Sequence, residues 1–269
     1  MKTVFFALLL STALGASAQT APEPVFQLNC QDGGWKSYKQ DKNFCETRDL
    51  AFDAPAGQPL VVNAEPNGGI AVHGWDGPNI RVRVKVQSWD LSEEVARSRA
   101  KSVVVGLVNG TLRATSPNGL DKWSVSYEIF APRQTGLALS TINGGISLDN
   151  LNAAIRFTTV NGGVKLTNLA GHVQGQTVNG GLDIALSGEK WNGQGLDVTT
   201  TNGGIDWTLP AGYSAQLFTS TDMGGIRTGL PVTKSGLFHK EVVANLGQGG
   251  PALRAVTTNG GIRVQQGRE

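Results

Sequence analysis

"TTVNGGVKLTNL", residues 158–169, reads as a strand, a tight turn and a second strand. Its centre, Asn161-Gly162-Gly163, recurs at 67–69, 143–145, 179–181, 202–204 and 259–261, with a worn version, Met223-Gly224-Gly225. Aligned on the Asn (or on Met223), the copies from Asn143 onward share far more than the turn. Two positions before it stands a threonine every time: Thr141, Thr159, Thr177, Thr200, Thr221 and Thr257. Six before it is always apolar, from Leu137 to Leu253. Three after it come Ile146, Val164, Leu182, Ile205, Ile226 and Ile262, and five after it mostly large apolar residues, Trp207 among them. The position between those two reads Ser147, Lys165, Asp183, Asp206, Arg227 and Arg263.

Side chains alternate across a strand, so the apolar positions share one face and the polar row faces water. Successive copies lie 18, 18, 23, 21 and 36 residues apart, room for two short strands and two turns. One such hairpin cannot bury its own apolar face. Stacking the units about 4.8 Å apart would join each row of Ile, Val and Leu into a continuous core. The periodicity therefore predicts an all-β chain built as a β-solenoid. Asn-Gly tolerates the positive φ of a tight turn. Stacked Asn143, Asn161, Asn179, Asn202 and Asn259 are expected to hydrogen-bond from rung to rung, and the inward threonines to form a second, hydroxyl ladder.

Upstream, Ile80 to Trp89 alternates apolar and basic residues, and residues 103–115 read as a hairpin around Asn109-Gly110. "WSVSYEIFAP", 123–132, is another alternating strand. "DLSEEVARSRAK", 90–101, predicts one short helix capped by Asp90, with Glu93 as its capping-box partner. Two segments interrupt the repeats, at 187–195 and around 229–250. The first eighteen residues read as a secretory signal peptide: Lys2, an apolar run from Val4 to Leu10, and Ala16-Ser17-Ala18. That leaves 19–133 as a β-rich N-terminal region with one helix, capping the stack and supplying its first rungs, and 134–269 as the repeat region.

Without Lys2 the chain carries 22 basic and 21 acidic residues, far from the basic stripe of a nucleic-acid binder. No later segment is long and apolar enough to span a membrane as a helix. Cys30 and Cys45 are the only cysteines; in an exported chain they predict a structural disulfide.

These stretches, with "NGGIAVHGWDG" at 67–77 and "WNGQGLDVTTTNGGI" at 191–205, resemble the bacterial "putative adhesin" domain family of exported β-solenoid proteins. The resemblance covers most of the mature chain. It implies a right-handed solenoid and a cell-envelope or surface role, and brings no catalytic residues.

The residues themselves show no nucleophile motif, metal-ligand spacing or cofactor loop, and His73, His172 and His239 are far apart in sequence. Asp183 and Asp206, on successive rungs, form the one plausible acid/base pair for glycoside hydrolysis. The bland reading, preferred here, pairs Lys165 with Asp183 and Asp206 with Arg227 as opposite charges on neighbouring strands. The acids fall at varying offsets, unlike the fixed spacing of calcium repeats. Among aromatics in polar loops (Trp35, Tyr38, Trp75 and Trp191), Trp191 and Trp75 are the candidates for stacking on a sugar. The expectation is a non-enzymatic exported protein, monomeric or weakly self-associating, that binds a glycan or another envelope component. It needs no metal and no cofactor. A carbohydrate-active β-helix enzyme and a purely structural spacer are the alternatives.

Overall fold

A computed structural model describes residues 22–31, 41–117, 119, 121–230, 234–236 and 239–267. The expected signal peptide, Trp35 and Tyr38 lie outside the described residues. The N-terminal part runs β1 (Lys42–Asp53), β2 (Leu60–Asn63), β3 (Ile70–Trp75), β4 (Asn79–Asp90), α1 (Glu93–Ser102), β5 (Val104–Val108), β6 (Thr111–Thr115) and β7 (Trp123–Pro132). Paired strands follow: β8 (Leu137–Asn143) with β9 (Ile146–Asp149), β10 (Asn152–Asn161) with β11 (Val164–Thr167), and β12 (Ala170–Asn179) with β13 (Leu182–Ala185). Next are β14 (Gly195–Asn202) with β15 (Ile205–Leu209), and β16 (Ala215–Met223) with β17 (Ile226–Thr228). The chain ends with β18 (Lys234–Ser235), β19 (Lys240–Leu246), β20 (Ala252–Asn259) and β21 (Ile262–Gln266).

Among the described residues α1 is the one helix, and the remaining elements are β-strands in two open, mixed sheets. One has ten strands, ordered β1-β4-β7-β3-β9-β11-β13-β15-β21-β17; the other has eleven, ordered β18-β19-β16-β20-β14-β12-β10-β8-β2-β6-β5. Their central strands are parallel and in register, Asn upon Asn and Thr upon Thr. Antiparallel strands extend the parallel stack, β4 and β1 beyond β7 in the ten-stranded sheet, and β19 with β18 at one end and β5 at the other in the eleven-stranded sheet. The −6, −4 and −2 residues of one sheet face the +3 and +5 residues of the other. They form one apolar cluster from Leu60 to Val264 that holds Phe157 and Trp207.

The corner ladders follow the repeat. Nδ2 of each Asn donates to Oδ1 of the preceding one: Asn143 to Asn67 at 2.9 Å, Asn161 to Asn143 at 2.8 Å, and so on through Asn179, Asn202 and Asn259. The threonine hydroxyls do not bond to one another. Each donates to a glycine carbonyl in the turn of the adjacent rung, as Thr159 does to Gly144 at 2.9 Å and Thr177 to Gly162 at 2.8 Å. The last acceptor of that series, Gly224 O, has no threonine above it and takes the Lys240 ammonium at 2.8 Å instead. Met223 stands where a further Asn would extend the ladder.

Three further sequence expectations need correction. The NGG glycines are not in the positive-φ region; they are required by close approach. A Cβ on Gly162 would lie 2.0 Å from Gly144 O, and one on Gly144 2.0 Å from Gly68 O. Positive φ belongs to the Asn109-Gly110 hairpin and to Asn150 and Asn168 at the opposite corner. There Asn168 donates to Asn150 at 2.6 Å, a second short ladder. Secondly, α1 begins after Ser92, with no side-chain cap. Asp90 ends β4, too early to reach the free amides of the helix, and its carboxylate instead receives Leu91 N, Arg99 and Lys122. Thirdly, the rungs do not stack in chain order. Because β19 folds back antiparallel onto one edge of β16, the final rung pairs with the other edge. Thus β20 and β21 lie between β14/β15 and β16/β17. Asp206 therefore neighbours Arg263, not Arg227.

Candidate functional site

The second glycine of each NGG turn points away from the core, and a side chain there would stand on the outer face of the ten-stranded sheet. Gly69, Gly145, Gly163, Gly181 and Gly204 line up immediately before β3, β9, β11, β13 and β15, leaving a trough along the stack instead of a ridge. Five strands spaced about 4.8 Å apart make it about 19 Å long. Its volume is about 830 Å³. Beside the glycines runs the outward row Ala71, Ser147, Lys165, Asp183 and Asp206, one residue per strand and polar from Ser147 onward. The side chains are short near β3 and charged towards β15.

At the β7 end an extended N-terminal segment, residues 22–31, closes the trough. Gln27 and Leu28 line it, and their amides donate to the Glu128 carboxylate at 2.9 and 2.6 Å. Glu128 is only 4 % exposed, so these amides replace the water it lost on burial. Phe26 packs edge-on against Phe130, with the Arg83 guanidinium over its other side. Cys30 and Cys45 form a disulfide, as the sequence predicts, and fasten this strap to β1.

Next to Glu128, His73 lies against Phe130. Its Nδ1 is 2.6 Å from Asp149 Oδ2, and its Nε2 is 3.7 Å from Glu128 Oε1. The Asp149 hydrogen bond holds the imidazole pKa above its ordinary value, more than burial lowers it. The ring sits between two carboxylates, and its protonated form offsets both charges. Sequence spacing hid this triad, because its members are brought together by parallel pairing of β3 with β7 and β9.

The sugar-stacking candidates fall elsewhere. Trp191 is 2 % exposed; the 187–195 insertion folds its ring into the core, where Nε1 donates to Gly171 O at 3.0 Å. It has no face left for a ligand. Trp75 is half-buried, donates to Asn79 O at 2.9 Å, and covers Gly77 in its own turn. Asp183 and Asp206 do lie opposite one another on β13 and β15, exposed on the trough, with Arg263 Nε 3.9 Å from Asp206. Among the described residues no three His, Cys, Asp or Glu side chains form a metal-holding group, and no helix is long and apolar enough to cross a membrane.

No family model matches the sequence, and no curated protein does. Solved structures do resemble the fold. A "putative cell adhesion protein" from Clostridium sporogenes aligns over 82 % of this chain and 100 % of its own, with 12 % identity and a TM-score of 0.44. A "putative adhesin" from Bacteroides fragilis aligns over 83 % and 97 %, with 12 % identity and a TM-score of 0.36. A "putative lipid binding protein" from Parabacteroides distasonis aligns over 83 % and 97 %, with 10 % identity and a TM-score of 0.33. Similarity at this level identifies neither a family nor an activity for the chain.

Proposed function

We propose that the chain is a non-enzymatic, exported cell-envelope or surface protein of adhesin type, a right-handed β-solenoid that holds an extended glycan in the glycine-floored trough. The observation that carries this reading is the repetition of the trough itself. Each rung offers one bare glycine and one outward side chain, at a single strand spacing. Such a surface suits a polymer with regularly repeating hydroxyls better than one compact molecule. It suits a peptide less well, because backbone groups in the middle of a sheet are already committed to their own ladder and cannot add a strand. The disulfide supports export, since such bonds persist in oxidising compartments. The N-terminal region then serves as the cap of the stack.

The exposed pair Asp183 and Asp206 fits ligand contact better than acid/base work, for which one carboxyl needs an apolar, water-poor environment. The test mixes the purified mature protein with insoluble cell-wall and polysaccharide fractions, and follows both co-sedimentation and released saccharide. Retention without release is expected, weakened in Asp183→Asn/Asp206→Asn. Release that disappears in the double variant would make the protein a glycosidase.

A further inference from the structure

Four strands stand at the ends of the two sheets: β1, β17, β18 and β5. Edges are hazards that proteins blunt with charge or brevity. β1 carries Lys42, Glu46, Arg48, Asp49 and Asp53. β17 has three residues, and β18 has two including Lys234. β5 is different: Val104-Val105-Gly106-Leu107-Val108 is uncharged, and no charged residue occurs between Lys101 and Arg113. Val104 is 65 % exposed, Val108 48 % and Leu107 38 %. Among the described residues no strand pairs with its outer edge, and an uncharged apolar edge of this kind is a strand-pairing site.

We infer that two copies of this chain pair antiparallel through β5, about a two-fold axis at Gly106. The register follows from the hairpin. Asn109 (φ 52°) and Gly110 (φ 74°) make a two-residue turn of the primed kind, so Val108 and Thr111 are its first hydrogen-bonded pair. Gly106 with Arg113 and Val104 with Thr115 follow by alternation. The N–H and C=O groups of Val105 and Leu107 therefore point outward. With the axis at Gly106, Val105 of each copy meets Leu107 of the other and exchanges two hydrogen bonds, four in all. Val104 then faces Val108 of the second copy in a close, non-hydrogen-bonded pair. This covers the two most exposed side chains of the strand twice over. β5 itself brings no charged side chain to the contact, and Gly106, which has open space at its Cβ position, leaves the axis unobstructed. The contact is self-complementary, as a two-fold interface must be, and joins two eleven-stranded sheets edge to edge.

Sedimentation velocity of the mature, disulfide-intact protein over a range of concentrations is expected to show a monomer–dimer equilibrium. Val104→Lys/Val108→Lys places lysines opposite one another twice and should weaken it by roughly tenfold or more. Val104→Lys/Val108→Glu pairs opposite charges in the same register and should restore it. These side chains are exposed, so circular dichroism should be unchanged in both variants. Gly106→Cys should give a disulfide-linked dimer on mild oxidation, with Cys30–Cys45 intact by peptide mapping. A wild type that stays monomeric, a dimer indifferent to the double lysine variant, or a folded Lys/Glu variant that fails to recover would each overturn the proposal. Capture of an unrelated extended peptide in place of a second copy would do so too.

Discussion

The two glycines of one NGG turn should respond to alanine in opposite ways. In Gly162→Ala the new Cβ lies 2.0 Å from Gly144 O, 2.4 Å from Gly144 C and 2.9 Å from Gly145 N. All are backbone atoms, so no rotamer change relieves the clash. The rungs must part by more than an ångström to reach ordinary contact. That movement strains the Thr159–Gly144 bond (2.9 Å) and the Asn161–Asn143 bond (2.8 Å) together. Each is worth about 1 kcal/mol net, and overpacking adds about 1–3 kcal/mol. The expected loss is roughly 3–5 kcal/mol. In Gly163→Ala the Cβ meets Gly181 O at 3.7 Å, an ordinary contact, with no positive φ to strain. The smaller conformational freedom of the unfolded chain should leave stability unchanged or raised by up to about 1 kcal/mol. Urea unfolding followed by circular dichroism gives both values from midpoint and slope. Two alanine variants within about 0.5 kcal/mol of each other, a gap too small for overpacking, would refute close approach as the reason for the motif.

The ladders should also separate by burial. Thr159→Val leaves Gly144 O without its donor inside the stack and should cost about 1–3 kcal/mol, whereas Asn161→Ala, at an exposed corner, should cost about 1 kcal/mol, both read from unfolding midpoints. Lys240→Ala uncovers Gly224 O; hydrogen exchange should quicken across 221–228 while the central rungs keep their protection. His73 has a folded-state pKa raised above its ordinary 6.5. Its stabilising effect is thus full below that value and is lost as pH rises through the folded pKa. Melting temperature should fall as pH rises from 6.5 through the folded-state pKa of His73, and His73→Gln should flatten that part of the profile.

Much of this was legible because period-two alternation and an in-register repeat determine which side chains share a face. The inward rows, the outward polar row and the Asn corner all follow from aligning 143–145 with 161–163 and 179–181. What was not legible came from contacts that a local pattern does not encode. Nothing in "MGGI" says that its rung is terminal; that depends on β19 occupying one edge of β16. Trp191 looked like a loop aromatic because its neighbours are polar, yet a twenty-residue jump brings it onto Gly171. The role of Gly162 depends on another rung's carbonyl, so the glycine preference of tight turns gave the right residue for the wrong reason. The strap over Glu128 joins residues about a hundred positions apart and carries no repeat signal at all.

The most direct test of glycan binding along the trough is Gly163→Leu. The position is exposed at the middle of the trough and accepts a Cβ without a clash, so the leucine should fill the groove and leave the fold intact. Co-sedimentation with the polysaccharide fraction that retains the wild type should be lost in Gly163→Leu, at an unchanged unfolding midpoint. It should be kept in Thr158→Leu, which alters the outer face of the other sheet. Equal retention of Gly163→Leu and wild type would contradict binding in the trough.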